Sequence, residues 1–188
     1  MSDLAAGAVS PAFLAAFRLT VGEEGSGLDL TYSDRGNWTS GIVGVGELRG
    51  SKYGVSAYAY PNEDIAAVTL DRARALYHAG RWAPNQSDRL PAIVAIVVFD
   101  SAVNDGTVRA AQWLQRVLGV AEDGDIGPQT LAAVAARDPV DLARAFHQLR
   151  AHETIHFGAW TTFANGWEDR LPGLPFDAMR AAAALAPA

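Results

Sequence analysis

The chain of 188 residues contains no cysteine. A disulfide scaffold, a thiolate zinc site and a thiol nucleophile are excluded together. Charge is sparse, at 19% of residues, and positive charge is sparser: 15 Lys and Arg against 21 Asp and Glu leave a net charge of -6. That balance argues against nucleic acid or an anionic membrane surface as partner, since both attract basic proteins. Long apolar runs are missing too. A membrane-spanning helix needs roughly 20 apolar residues, whereas the run from Leu90 to Phe99 stops at Asp100. Residues 1–9 include Asp3 and neither Lys nor Arg, so no secretory leader is expected and synthesis in the cytoplasm follows. What remains is 49% hydrophobic residues, ample for one core or two closely joined ones.

Punctuation divides the chain into a mainly α protein with one irregular β region. Ser10-Pro11 reads as an N-cap and first-turn proline, opening a helix through Phe13, Phe17 and Val21 that ends near Gly22. From Gly25 to Gly54 glycine recurs among Thr, Val, Ile and Tyr, a pattern of turns and a short hairpin. Helices follow. Thr69 caps one that Gly80 stops; Pro91 opens a strongly apolar one that breaks at Asn104-Asp105-Gly106; Val108–Leu118 ends at Gly119. Pro128–Ala136 and a long helix from Asp138-Pro139 towards His156 come next, and Asp177–Leu185 reads as a last short helix. A boundary near Arg89-Leu90-Pro91 separates residues 10–90 from a second helical domain, 91–172, with a tail at 173–188.

Carboxylates cluster where the first helix meets the glycine-rich region: Glu23 and Glu24 at the helix end, Asp34 in the polar loop that continues Gly36-Asn37-Trp38-Thr39 and Gly41-Ile42. Such a set suits glycoside hydrolysis, in which one carboxyl is kept neutral to protonate the leaving oxygen while another group activates water or stabilises positive charge. Continuing the helix at about 100° per residue places Glu24 in the stripe of Phe13, Phe17 and Val21 and turns Glu23 aside. Glu24 is then the carboxyl to be desolvated.

Residues Phe13 to Ala57 resemble the glycoside hydrolase family 108 muramidases, through Glu24-Gly25-Ser26, Asp34, Gly36-Asn37-Trp38-Thr39 and Gly41-Ile42. Ser26 and Asn37 stand where the family pattern has glycine. The later segment resembles the predicted peptidoglycan-binding domain found attached to those enzymes, through Phe99-Asp100, Ala102-Val103-Asn104, Gly106, Leu114-Gln115, Leu118-Gly119-Val120, Asp123-Gly124, Ile126-Gly127-Pro128, Thr130-Leu131 and Gly166-Trp167 with Arg170. The resemblance implies a lysozyme-like helical fold that cuts the β-1,4 bond between N-acetylmuramic acid and N-acetylglucosamine, without a cofactor. It implies Glu24 as general acid, Asp34 positioning water or stabilising charge, and Thr39 orienting water or substrate. A phage or prophage endolysin of this kind would act as a monomer on glycan strands of the cell wall, in the periplasm, after a separate pore-forming protein or a phage-like particle released it.

Trp38, Tyr53 and Tyr58 lie where a lysozyme-like cleft has its lip, and Trp38, Asn37, Tyr53 and Asn104 are the candidates for substrate contact. Trp82, Trp113, Trp160 and Trp167 read as core, and Gln115 as a residue of a solvated face. Glu122, Asp123 and Asp125 lack a full calcium loop and read as a turn. His152-Glu153-Thr154-Ile155-His156 is a literal H-E-x-x-H, whose histidines, one helical turn apart, suit zinc beside a glutamate base. A zinc peptidase is therefore one alternative; a catalytically inactive wall-binding module is another. Against zinc, Thr162 occupies the position six beyond His156 where the extended motif has a third histidine.

Overall fold

Helix α1, Pro11–Thr20, begins as its capping residues dictate: the Ser10 hydroxyl accepts the Phe13 amide at 3.3 Å. The computed structural model describes residues 9–22, 27–156 and 173–185. Within them the helices continue with α2 (Leu70–Tyr77), α3 (Ala92–Asn104), α4 (Thr107–Leu118), α5 (Pro128–Ala135), α6 (Pro139–His156) and α7 (Leu174–Ala184). The strands among the described residues are β1, Ser51–Lys52, and β2, Val55–Ser56, paired antiparallel with Ser51 opposite Ser56 and Lys52 opposite Val55. The mainly helical, lysozyme-like class with a small β region is thus what the chain adopts. None of the described helices is long and apolar enough to cross a membrane.

The chain divides into two compact units, 1–20 with 78–188, and 21–77. Helix α3 is the axis of the first unit. Every residue from Ile93 to Ala102 is buried, as a helix that is apolar all round must be. It packs against α1, α4, α6 and α7. It shares one core with α1. Phe13 of α1 stands edge-on to Phe99 at 5.8 Å, to Trp82 at 5.5 Å and to His78 at 5.0 Å. Trp113 is buried with them as a core residue of this unit, as read, whereas Trp160 and Trp167 lie outside the described residues.

Two element ends differ from the sequence expectation. Gly80 does not stop the helix that Thr69 caps; α2 ends at Tyr77 and the chain widens into a π turn, His78–Trp82, closed by the Ala83 amide on the His78 carbonyl at 2.9 Å. The wider turn brings Trp82, fully buried, onto Phe13 and Phe99, and packing of that indole outweighs the helix-stopping tendency of glycine. Helix α7 starts at Leu174 rather than Asp177, because Pro175 fits its first turn and needs no amide partner.

Burial of α3 creates its own electrostatic demand. Asp100 lies wholly inside, and the Arg150 guanidinium of α6 donates to it at 2.6 Å and to Asp105 at 2.7 Å, with all three side chains at most 4% exposed. The Ser101 hydroxyl adds a bond to Asp105 at 3.1 Å. Desolvation outweighs the Arg150 charge at Asp105 and holds its carboxyl above the ordinary 3.8. The folded chain therefore takes up a proton there before the unfolded chain does; this contribution to stability is complete below about pH 3.8 and is withdrawn as the pH rises through the raised value. Arg150→Ala leaves two buried carboxylates facing each other without their cation and should cost about 3–5 kcal/mol at pH 7. In urea unfolding the loss should shrink as the pH falls towards 4, where protonation relieves it; a pH-independent loss would contradict the charge account.

Candidate active site

The carboxylates nominated by the sequence belong to the start of the second unit, 21–77. Glu23 and Glu24 lie outside the described residues. The residues before them correct the stripe argument: α1 ends at Thr20, and Gly22 takes the left-handed φ of +82°. Phe13 and Phe17 do share the buried face, but the helical phase does not carry through Gly22 to position 24. The choice of Glu24 over Glu23 accordingly rests on the family pattern alone.

From Gly27 onward the unit is organised by polar side chains bonding to backbone rather than by sheet. Asp29 closes a turn, accepting the Thr31 hydroxyl at 2.6 Å and the Thr31 amide at 2.8 Å. These bonds, the hydroxyl first, hold its carboxyl below the ordinary range. Asp29 also bridges Ser51, and Trp38 bridges Leu48. Asn37 is the keystone. Fully buried, it donates through its side-chain amide to the Thr31 carbonyl at 3.1 Å, while its own carbonyl accepts the Arg49 and Gly50 amides at 2.9 and 3.0 Å. Three stretches of a strand-poor segment thereby meet at one residue, its side chain reaching Thr31 and its backbone carbonyl holding 49 and 50.

Around this keystone the nominated residues take distinct places. Asp34 is exposed and caps a short 3-10 turn, Arg35–Asn37, by accepting the Gly36 amide at 2.8 Å. Thr39 is half-buried; its hydroxyl accepts the Glu47 amide at 3.0 Å and its amide donates to the Glu47 carbonyl at 3.0 Å. Trp38 is buried, with its indole N–H on the Tyr32 carbonyl at 2.8 Å and its ring edge-on to Tyr32 at 5.0 Å. Tyr53 stands in the β1–β2 turn with φ of +49°, followed by Gly54 at +72°, the two positive angles of a type I′ hairpin. Asp34, Asn37, Trp38, Thr39 and Tyr53 thus all belong to the second unit. Asn104 belongs to the first, exposed at the end of α3, where its amide donates to the Asp100 carbonyl at 2.7 Å.

Gln115 is the residue the sequence reading misplaced. It is buried, not solvated. Its amide donates to Asp123 at 2.6 Å and to the Asp125 carbonyl at 2.9 Å, and its oxygen accepts the Gly124 amide at 2.9 Å. One side chain thereby shapes the whole 123–125 turn; the Asp125 amide, then Gln115, lower the Asp123 carboxyl. The available signal was spacing: Gln115 follows Ala111 by one helical turn, on the buried face of α4. Glu122 is engaged by Arg116 at 2.8 Å. In the H-E-x-x-H segment, Glu153 also reaches Arg116, at 3.2 Å, and His152 is two-thirds exposed. Among the described residues no three His, Asp or Glu side chains converge as a metal site would require.

A tyrosine with positive φ is strained, and Asn tolerates that angle far better. Tyr53→Asn should raise stability by about 0.5–1 kcal/mol, read as a higher thermal midpoint; a lower midpoint would show that ring packing outweighs the backbone strain.

Residues 17–106 match the family model of glycosyl hydrolase 108, and residues 109–171 match that of the predicted peptidoglycan domain. The two matches meet at the turn between α3 and α4. The structure of Brucella abortus SagA is similar over 72% of this chain and 83% of that one, at 28% identity and a TM-score of 0.64. No curated protein matches. Residues 17–106 belong to glycoside hydrolase family 108 and are joined to a peptidoglycan-binding segment, 109–171; the protein is a glycoside hydrolase acting on peptidoglycan.

Proposed function

We propose that the protein is an endolysin-type N-acetylmuramidase that hydrolyses the β-1,4 bond between N-acetylmuramic acid and N-acetylglucosamine, with Glu24 as general acid. The observation carrying this reading is the family match over 17–106, within which Glu24, Asp34 and Thr39 keep the family's order. Hydrolysis of a glycosidic bond needs a proton on the leaving oxygen and support for an oxocarbenium-like carbon. Glu24 supplies the proton. Asp34, exposed and anchored through one oxygen by Gly36, suits the second task or the holding of water. The Thr39 hydroxyl accepts from Glu47 and keeps its own proton to donate to water or substrate. Tyr53 and Asn104 contact the glycan, while Asn37 and Trp38 serve it through the frame they build.

Glu24→Gln should reduce release of reducing ends from purified peptidoglycan by 10²- to 10⁴-fold with wall binding retained. Glu23→Gln, His152→Ala and a chelator should each leave the rate within a few-fold. The reverse pattern, with chelator and His152→Ala inactivating, would establish the zinc peptidase instead. Binding without any release would establish an inactive wall-binding module. Mass spectrometry of the soluble muropeptides identifies the bond cut.

The protein is further read as a monomer, made in the cytoplasm and reaching periplasmic peptidoglycan through a separate pore-forming protein or a phage-like particle. Expression without a pore-forming partner should then leave culture density unaffected. Spontaneous lysis under those conditions would refute this delivery route.

A further inference from the structure

Exposed large apolar side chains concentrate in one stretch of the second unit. Tyr32 is 60% exposed, Ile42 55%, Val45 51% and Tyr58 61%, with Val43 beside them. They converge on one loop, Ser40–Gly46, which contains no charged residue. Tyr58 lies against Gly41 so closely that a methyl group there would sit 2.7 Å from its ring, and a methyl on Gly44 would sit 3.2 Å from the Tyr32 hydroxyl. Gly41 and Gly44 are at most about 11 Å apart along the chain, so the two rings flank a surface short enough for one oligosaccharide to touch both.

The loop is held firmly. The Ser40 hydroxyl donates to the Val45 carbonyl at 2.7 Å and accepts the Ile42 amide at 3.1 Å, and the Val45 amide closes a turn on the Ile42 carbonyl at 3.1 Å. Arg35 fixes the near end, donating through Nε to the Gly41 carbonyl at 3.0 Å. Trp38 props Tyr32 from beneath, with both an indole hydrogen bond to its carbonyl and an edge-on ring contact. Rings set in place this way, yet more than half exposed, lose little conformational freedom on meeting a ligand.

We propose that Tyr32 and Tyr58, with Ile42 between them, form a stacking subsite for the glycan strand of peptidoglycan, one that no assigned catalytic residue occupies. The inference rests on the glycoside hydrolase reading and deepens it. Pyranose rings offer apolar faces and N-acetyl groups offer methyls, both of which suit flat aromatic and aliphatic surface carrying phenolic hydroxyls. Two other occupants fit less well. An anionic membrane calls for several Lys and Arg around the apolar tip; residues 40–46 have none, and Arg35 beside them is turned onto the Gly41 carbonyl. A second copy of the chain calls for about 800 Å² per partner, whereas five side chains at these exposures offer on the order of 500 Å².

The test uses the full chain and peptide-free glycan strands, prepared from purified peptidoglycan with an amidase, in a calorimetric binding titration. Tyr58→Leu and Tyr32→Leu keep apolar packing on the loop but remove the stacking face. Each should weaken binding about 5-fold and the pair more than 10-fold, raising KM for reducing-end release while kcat stays within about twofold. Tyr58→Phe and Tyr32→Phe should bind within about twofold of the unaltered chain. Leu variants that bind as tightly as the unaltered chain would overturn the proposal. So would a concentration-dependent sedimentation coefficient abolished by Ile42→Ser, or co-flotation with phosphatidylglycerol vesicles abolished by the Leu variants. Strand binding lost in the Leu variants, in a protein that releases no reducing ends, would keep the subsite and reject the muramidase.

Discussion

The guanidinium of Arg150, held between Asp100 and Asp105 inside the first unit, is the constraint from which the helical core takes its form. A helix buried all round, as α3 is from Ile93 to Ala102, is secured by apolar contact that has no direction of its own. Asp100 supplies the direction. Its buried carboxylate is met by the Arg150 guanidinium of α6, fifty residues further along the chain. The rotation of α6 about its axis and its register against α3 must both satisfy that pair. The C-terminal end of α3 is specified in the same way, since Asp105 accepts Arg150 beside the turn that leads into α4.

The second unit solves a different problem. With two strands of two residues each among its described residues, it has few ladder bonds to share among its backbone groups. Side chains take their place: Asp29, Asn37, Ser40 and Arg49 bond to amides and carbonyls across the segment. Arg49 alone reaches the carbonyls of Pro61 and Glu63, both at 2.9 Å. The surface of the unit also carries apolar Tyr32, Ile42 and Tyr58, each more than half exposed. This grouping of exposed apolar side chains is a feature of binding surfaces. In a hydrolase acting on an insoluble polymer it has a use, because a rigid loop can hold sugar rings without being ordered anew at each encounter.

Asn37 illustrates how family pattern and structure inform each other. It stands where the family pattern has glycine, and the structure buries it fully with its side-chain amide on the Thr31 carbonyl. A residue departing from a pattern in a loop is readily taken for a ligand contact. Full burial, with the side-chain amide committed to the Thr31 carbonyl, instead makes it a framing residue. Trp38 follows the same course, its indole N–H committed to Tyr32, so that the aromatic presented to solvent is Tyr32, which no spacing argument singled out.

The sequence by itself determined the mainly helical class, most helix ends and the family, because these depend on local signals: N-caps at Ser10, Thr69 and Asp138, the C-cap at Gly119, and short ordered motifs such as Glu24-Gly25-Ser26 and Asp123-Gly124. It also determined that Trp82 and Trp113 are core. It could not show that Gln115 turns inward, since one polar residue on a helix looks the same whether water or a buried turn satisfies its amide. Nor could it show which helices share a core with α3, or that α2 gives way to a π turn. Those outcomes are set by which distant side chains meet, Phe13 with Phe99, Trp82 with Phe13, Arg150 with Asp100. Contacts between residues far apart in the chain leave no periodicity for a local reading to find, and only the tertiary structure decides them.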